Sequence, residues 1–517
     1  MKISVTPIQL ISFFLCFFSL LVLPIELYAQ ANNKPNIIYL MTDDQRWDNM
    51  GCYGRPEFKT PNIDKLANDG VIFDNAFYAV SICMPSRVSI LTSRYISSHR
   101  VGFAAPNNYT LSESDFANSY PAILKKAGYR TGFIGKVGFS VTEKAQQPSV
   151  VPPGYLYKKY FSNTFDFFVG TETNDRKGVE MWPEDDAGLQ HIYRANRPAT
   201  ERTLKTGDAM LRFIDTQPKD QPFCLSVSFY AVKHDSNSDL YGPHFDLFKD
   251  YEFSVPENWV AGANDKLPKV VKENWRGVPL HLQRSSTPEL YQRQVRRFAT
   301  QGYTVDQQVG LLIEKLKEKG ILDNTIIIYT SDNGRFQGSH GLFDKALLYE
   351  ESVKQPLIVF DGRADATKRH RREKALISSI DIAPTILSFA GIKPTASMQG
   401  TDFTPILNKE KDASSWQDAV YMENLFLVSM FNSKHKPNAN ELNDKEIAEN
   451  KSYRCRGVRT DRWKYFIYYE HTPKLEELYD LENDPLEQNN LVNNPEFADV
   501  LQNLRNRTEA FYLKAVQ

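Results

Sequence analysis

The sequence predicts an α/β fold, with a large mixed or parallel central sheet flanked by helices and a smaller C-terminal α+β unit. Three observations carry this. Short continuous apolar runs, Pro35 to Met41 and Thr325 to Thr330 among them, have the length and β-branched content of strands buried on both faces. These two runs break off into polar turns, Thr42-Asp43-Asp44-Gln45 and Ser331-Asp332-Asn333-Gly334, where open α/β sheets form their ligand crevice. A helix start follows at Asp381-Ile382-Ala383-Pro384-Thr385, leading into an apolar stretch that stops at Gly391.

At 517 residues, 41% hydrophobic and 24% charged, the chain is long enough for one large domain and a smaller one. A formal net charge of −1 gives no global attraction to nucleic acid or an acidic membrane, so any anion selectivity must be local. The N-terminus joins Lys2 to an apolar block from Ile8 to Leu23 and then Ala29-Gln30-Ala31. That pattern is a secretory signal over residues 1–30. The mature protein is expected in the periplasm or outside the cell, with no stable membrane insertion after cleavage. An uncleaved anchor is the alternative, because the block approaches spanning length. Beyond the signal only Cys52, Cys83, Cys224 and Cys455 remain, too few and too scattered for a disulfide-stapled scaffold.

Asp43 and Asp44 follow the first strand directly, and two adjacent buried carboxylates repel unless a cation lies between them. Asp332 and Asn333 follow the second strand in the same way. Taken singly, the first pair would serve as a helix cap and the second as a turn. Converging from two strand ends, their hard oxygens suit Ca2+ or Mg2+ and not zinc.

Cys83-Met84-Pro85-Ser86-Arg87 precedes another apolar run, Val88 to Leu91. Proline suits a first helical turn, and the free N–H groups there favour an anion. Cys83 thus reads as a reactive group on a turn entering a helix, with the planar fork of Arg87 one turn on, suited to a tetrahedral oxyanion.

At these residues the chain resembles the type I sulfatases, whose C-x-P-S-R signature and following T-x-R match Cys83, Pro85, Ser86, Arg87, Thr92 and Arg94. The resemblance runs from about Pro35 to about Leu491. It implies an alkaline-phosphatase-like fold and hydrolysis of a sulfate ester. It also implies that Cys83 is oxidised to formylglycine by a formylglycine-generating or anaerobic sulfatase-maturing enzyme. Asp43, Asp44, Asp332, Asn333 and the modified Cys83 would then hold one Ca2+. The implied substrate is a sulfated carbohydrate.

Further along, the strand-like Tyr129 to Ile134 leads to Gly135-Lys136-Val137-Gly138, similar to the family's G-K-x-H, with Gly138 where a histidine is expected. Phe223 to Phe229 leads to Tyr230-Ala231-Val232-Lys233-His234, where Lys233 occupies the family's histidine position and His234 follows it. His234 is the preferred proton donor because imidazole titrates near neutrality, and His244 is a weaker substitute. Ser339-His340-Gly341-Leu342-Phe343-Asp344-Lys345 and Tyr349-Glu350-Glu351-Ser352 resemble the blocks H-G-L-x-x-K and Y-E-E-S. The resemblance gives Lys345 a sulfate contact and puts His340 near the leaving group or the sugar; the other role for His340 is to pin the loop. Glu350 and Glu351 are assigned to structure.

The catalytic domain is expected over 31–396 and a C-terminal subdomain over 397–517, with Arg456 to Tyr465 reading as an alternating strand and Asn494 to Val516 as a helix packing back. The polar segments 148–200 and 234–288 would shape the pocket mouth. Two rival functions share this frame: a phosphonate or phosphodiester hydrolase of the same superfamily, and a sulfated-glycan binding protein without turnover, the latter encouraged only by Gly138.

Overall fold

The computed structural model describes residues 34–102, 109–146, 157–171, 180–182, 199–233, 244–260, 262–425 and 439–517. The expected signal over 1–30 lies outside these residues, as does His234. Among the described residues no helix is long and apolar enough to cross a membrane.

Nine strands form the central sheet. In chain order they are β1 (Asn36–Thr42), β2 (Val71–Phe73), β3 (Arg130–Lys136), β4 (Phe167–Thr171), β5 (Glu180–Trp182), β6 (Phe223–Ser228), β7 (Thr325–Ser331), β8 (Leu357–Asp361) and β9 (Arg371–Glu373). Their spatial order is β9-β2-β8-β7-β1-β6-β3-β4-β5. The run from β7 to β4 is parallel, whereas β8 lies antiparallel to β7 and β2, and β5 lies antiparallel to β4. The sheet is therefore mixed, with a parallel centre.

Strand periodicity assigns the core. Ile38 and Leu40 of β1 join one apolar cluster, while Ile37, Tyr39 and Met41 join the other. The first cluster is closed by α1 (Pro61–Asn68), and the second by α2 (Cys83–Thr92) and α3 (Tyr120–Lys126). Next in the chain are α4 (Ala199–Asp215), α5 (Gly277–Arg284) and α6 (Pro288–Glu318); α4 and α6 cover the same face as α1. α7 (Ile382–Phe389) covers the opposite face and gives way at Ala390 to Gly391, whose φ of 70° is the left-handed geometry expected after a helix end.

A second sheet of four antiparallel strands lies toward the C-terminus: β10 (Ala419–Asn424), β11 (Cys455–Thr460), β12 (Trp463–Tyr468) and β13 (Leu475–Asp480). The stretch read as one strand from Arg456 to Tyr465 is thus two. Thr460 Oγ1 accepts from the Trp463 backbone N–H at 2.9 Å and turns the chain there. Arg462, at that turn, pairs with Asp480 at 2.6 Å. The terminal helix α8 (Ala498–Ala515) packs Leu501 and Leu504 against this sheet, and the residues before it form a short turn capped by Asn494.

The seam between the two sheets is polar and buried. Lys464 Nζ sits 2.7 Å from Glu350 and 2.8 Å from Glu487, fully enclosed. Tyr349 and Tyr468 donate to Glu477 at 2.9 and 2.8 Å, and Tyr479 donates to it as well. All four cysteines of the described chain are free thiols.

Candidate active site

Parallel pairing of β1 with β7 sets Thr42 opposite Ser331, so Asp43-Asp44 and Asp332-Asn333 leave adjacent strands side by side. Backbone bonds fix the two turns together: Asp332 N–H donates to Thr42 O at 3.0 Å, and Asp44 N–H to Asp332 Oδ1 at 3.0 Å. On the other side of β1, Asp43 N–H donates to Ala231 O and Val232 N–H to Asp43 O, each at 2.8 Å, bringing the segment after β6 alongside.

Cys83 is the first residue of α2, preceded by extended Ile82, and every residue of that helix is buried. Its sulfur and oxygens of Asp43 and Asp332 all lie within 4.8 Å of one another. Arg87, one turn on, places Nη2 2.7 Å and Nε 2.9 Å from Asp332 Oδ2, and Nη1 2.8 Å from Lys136 O; it also bonds Ser228. Lys136, at the end of β3, pairs with Asp43. Lys345 pairs with Asp44 and donates to Asn333 Oδ1 at 3.0 Å.

Burial by itself pushes all three carboxyls up. At Asp44 this is overcome by Lys345 and Arg335, with Lys233 and Lys136 adding to them, and the group is held well below the usual carboxylate range. At Asp43, burial is overcome by Lys136 and then Lys233. Asp332 stays raised, by burial and then by Asp43, in spite of Arg87. The donor set fits a hard divalent cation: carboxylate and amide oxygens converge, and the buried Asp43 Oδ1 meets no hydrogen-bond donor among the described residues. Among the described residues the group holds a single thiol and no histidine, unlike a zinc-type set.

Gly138 has φ +83°, and a Cβ there would stand 3.1 Å from Arg87 Cδ. Any other side chain at this position would sit in the left-handed region and would need Arg87 to give way by a few tenths of an ångström. Lys233 is half-buried, and its charge acts on Asp43, Asp44 and Lys136. His244 lies elsewhere, its ring 5.1 Å from that of Tyr303 in α6.

His340 is enclosed as well. Its Nε2 lies 3.2 Å from Glu351, its ring packs 4.9 Å from Tyr349, and its φ is 56°. Burial lowers its pKa, but Glu351 reverses this and raises it above the usual histidine range. Glu351 also accepts from Asn258 at 2.8 Å, so the pair anchors the loop between Asn333 and Lys345. Arg335 is the residue that motif reading passed over. It follows Asp332-Asn333-Gly334 directly and pairs with Asp44, and its position next to the metal-type turn was the only signal in the sequence.

The family description Sulfatase matches residues 35–392, and N-sulphoglucosamine sulphohydrolase, C-terminal, matches 444–514. An N-acetylglucosamine-6-O-sulfatase of Bacteroides thetaiotaomicron is 28% identical over 523 residues, covering 91% of this chain and 84% of its own. The human N-sulphoglucosamine sulphohydrolase is 27% identical over 506 residues, covering 91% and 88%. Among solved structures, one in complex with its substrate D-glucosamine-2-N,6-O-disulfate superposes with TM-score 0.72 at 24% identity, covering 93% of this chain and 98% of its own. The phosphonate monoester hydrolase of Agrobacterium radiobacter superposes with TM-score 0.66 at 21% identity, covering 93% and 96%, a likeness of fold. The Cys83 turn and the paired acidic strand ends agree with the family match across most of the chain, which makes this protein a member of the sulfatase family, within the alkaline-phosphatase superfamily.

Proposed function

We propose that this sulfatase removes sulfate from a sulfated carbohydrate outside the cytoplasm, with residues 31–396 forming the catalytic domain and 397–517 a supporting subdomain. The observation that carries the reading is the gathering of Cys83, Asp43 and Asp332 within 4.8 Å, ringed by Arg87, Lys136 and Lys345. The names of the glucosamine sulfatases above support the carbohydrate class.

Asp43, Asp44, Asp332 and Asn333, with the group at position 83, would hold Ca2+. Formylglycine made from Cys83 by a maturing enzyme would supply a hydrate hydroxyl as nucleophile, and the ion would draw charge from the sulfuryl oxygens. The chain's own residues do the rest. Arg87, locked to Asp332 and to the Lys136 carbonyl, presents a fixed guanidinium to the anion. Lys136 and Lys345 bring ammonium groups to the site, paired with Asp43 and Asp44 respectively. His234 would give the proton to the leaving alcohol, with the adjoining Lys233 adding positive charge at Asp43 and Asp44. His340 serves as a positioning residue, because its imidazole is committed to Glu351.

The test is the mass of the Cys83 peptide from the native producer, together with sulfate release from a panel of sulfated saccharides and parallel phosphate esters. Loss of hydrogen sulfide with gain of one oxygen, and sulfate release exceeding phosphate release, is the expected result. An unmodified thiol in active protein would overturn the nucleophile assignment, and preferential turnover of the phosphate or phosphonate esters would move the protein to the rival activity.

A further inference from the structure

A second cationic group lies beside the catalytic lysine. The loop residues Phe343 and Asp344, immediately before Lys345, gather three arginines. Arg335 stands 5.0 Å and Arg284 5.7 Å from the Phe343 ring, and Arg276 forms an ion pair with Asp344. Arg335 is already tied to Asp44, which anchors the group to the catalytic carboxylates.

Local structure fixes this arrangement. Phe343 N–H donates to Gly277 O at 3.0 Å at the start of α5, and a Cβ at Gly277 would come within 2.6 Å of Phe343 O, so the close approach requires glycine. Arg284 ends the same helix two turns along, on the face that carries Gly277. The cation sits over the aromatic ring, a placement that orients a guanidinium while leaving its N–H fork available.

Charge is unbalanced here. Arg335 has Asp44 and Arg276 has Asp344, but among the described residues no carboxylate is within ion-pair distance of Arg284. Arg284 is half-buried, and burial, then Arg335 and Arg276, press on its charge, with Asp344 the attractive group among the described residues. A guanidinium that shares the Phe343 ring with Arg335, itself tied to Asp44, and whose charge is opposed by Arg335 and Arg276, gains from an anion of the substrate.

We infer that Arg284, supported by Arg276, forms a second anion subsite that binds another sulfate or a carboxylate of the same sugar chain while the reacting ester lies at Cys83. The enzyme would therefore select carbohydrates with at least two acidic groups. This rests on the sulfated-carbohydrate reading above.

The paired probes are glucosamine 2-N,6-O-disulfate and glucosamine 6-O-sulfate. Sulfate release is measured with the matured full-length enzyme, and binding is measured by calorimetry on a Cys83→Ala variant, in which no turnover occurs. The parent should prefer the disulfate. Arg284→Gln should shrink that preference by roughly 10- to 100-fold, through KM and the binding constant, the loss expected for one charged hydrogen-bonding contact. Arg284→Lys should recover part of it. An equal loss for both probes, no preference in the parent, or no binding of either probe overturns the subsite. Preference retained in binding without sulfate release from either probe overturns the hydrolase reading and leaves the subsite standing.

Discussion

Two buried clusters of acids, one at the strand ends and one at the seam between the sheets, obey different logic. At the strand ends Asp43, Asp44 and Asp332 are met by cations from separate elements, and Asp43 Oδ1 is still left without a donor. At the seam, Glu350 and Glu487 share Lys464, Glu351 holds His340, and Glu477 accepts three tyrosine hydroxyls. His340, Glu351 and Glu487 come as close together as Asp43, Cys83 and Asp332 do. Proximity of acids therefore does not mark a reaction site. What separates the clusters is the balance of charge: at the strand ends four cations, Arg87, Lys136, Arg335 and Lys345, face three aspartates, whereas at the seam Lys464 and His340 are shared among several glutamates and tyrosine hydroxyls.

The largest effect that would break this contrast is on catalysis. Asp332→Ala removes the Arg87 anchor and an oxygen of the proposed metal set together, and sulfate release should fall by about 10^2- to 10^3-fold. Lys464→Met should leave turnover within a few-fold but unfold more readily by roughly 3–5 kcal/mol in urea titration, because two buried glutamates lose their cation. Equal loss of turnover in the two variants would show that the seam takes part in the chemistry.

Calcium sharpens the same contrast. Raising free Ca2+ from chelated to about a hundred times its dissociation constant should stabilise the folded protein by about 2.7 kcal/mol, seen as a rise in Tm. Asp43→Asn should weaken that response, whereas Glu487→Gln should keep it.

The pH response separates the seam from the site. Burial raises the Glu487 carboxyl from 4.5 to about 7 against the pull of Lys464, while Glu350, sharing that lysine, is held down at about 2. The folded chain thus keeps a proton on Glu487 that the unfolded chain releases above 4.5. That stabilising contribution is complete below 4.5 and is lost as pH rises through about 7. Between pH 5 and 7 the loss should be about 2 kcal/mol in denaturant titrations, and Glu487→Gln should remove it. An unchanged slope in the variant would place the titration elsewhere.

The smallest effect is the control. Lys65 and Asp69 pair at 2.8 Å on the outside of α1, with the lysine side chain 65% exposed. Lys65→Met should change stability by no more than about 0.5 kcal/mol, since solvent screens the pair. Geometry similar to that of Lys464 would then be seen to carry several kcal/mol only where water is excluded.

Much of this protein was legible before any coordinates. The strand ends at Asp43-Asp44 and Asp332-Asn333 stand out because parallel strands buried on both faces are nearly pure apolar runs, and a polar residue at their edge is conspicuous. The Cys83 turn is equally local, since one helix carries both the sulfur and Arg87. The hairpin at Thr460 was missed although the polar run Arg459-Thr460-Asp461-Arg462 interrupts the alternation there, and the cross-strand pairing of β11 with β12 shows the reversal.

The sequence by itself determined the α/β class, the Cys83 turn and the acidic strand ends, because each is written in a few consecutive residues. Tertiary structure alone decided that Arg335 reaches Asp44, that Gly138 lies against Arg87, that His340 turns to Glu351, and that Arg284 and Arg335 both lie near the Phe343 ring. The physical reason is common to all four. Charges act through space over a few ångströms, and which residues come within that distance depends on how loops distant in sequence pack, a relation that no local pattern records.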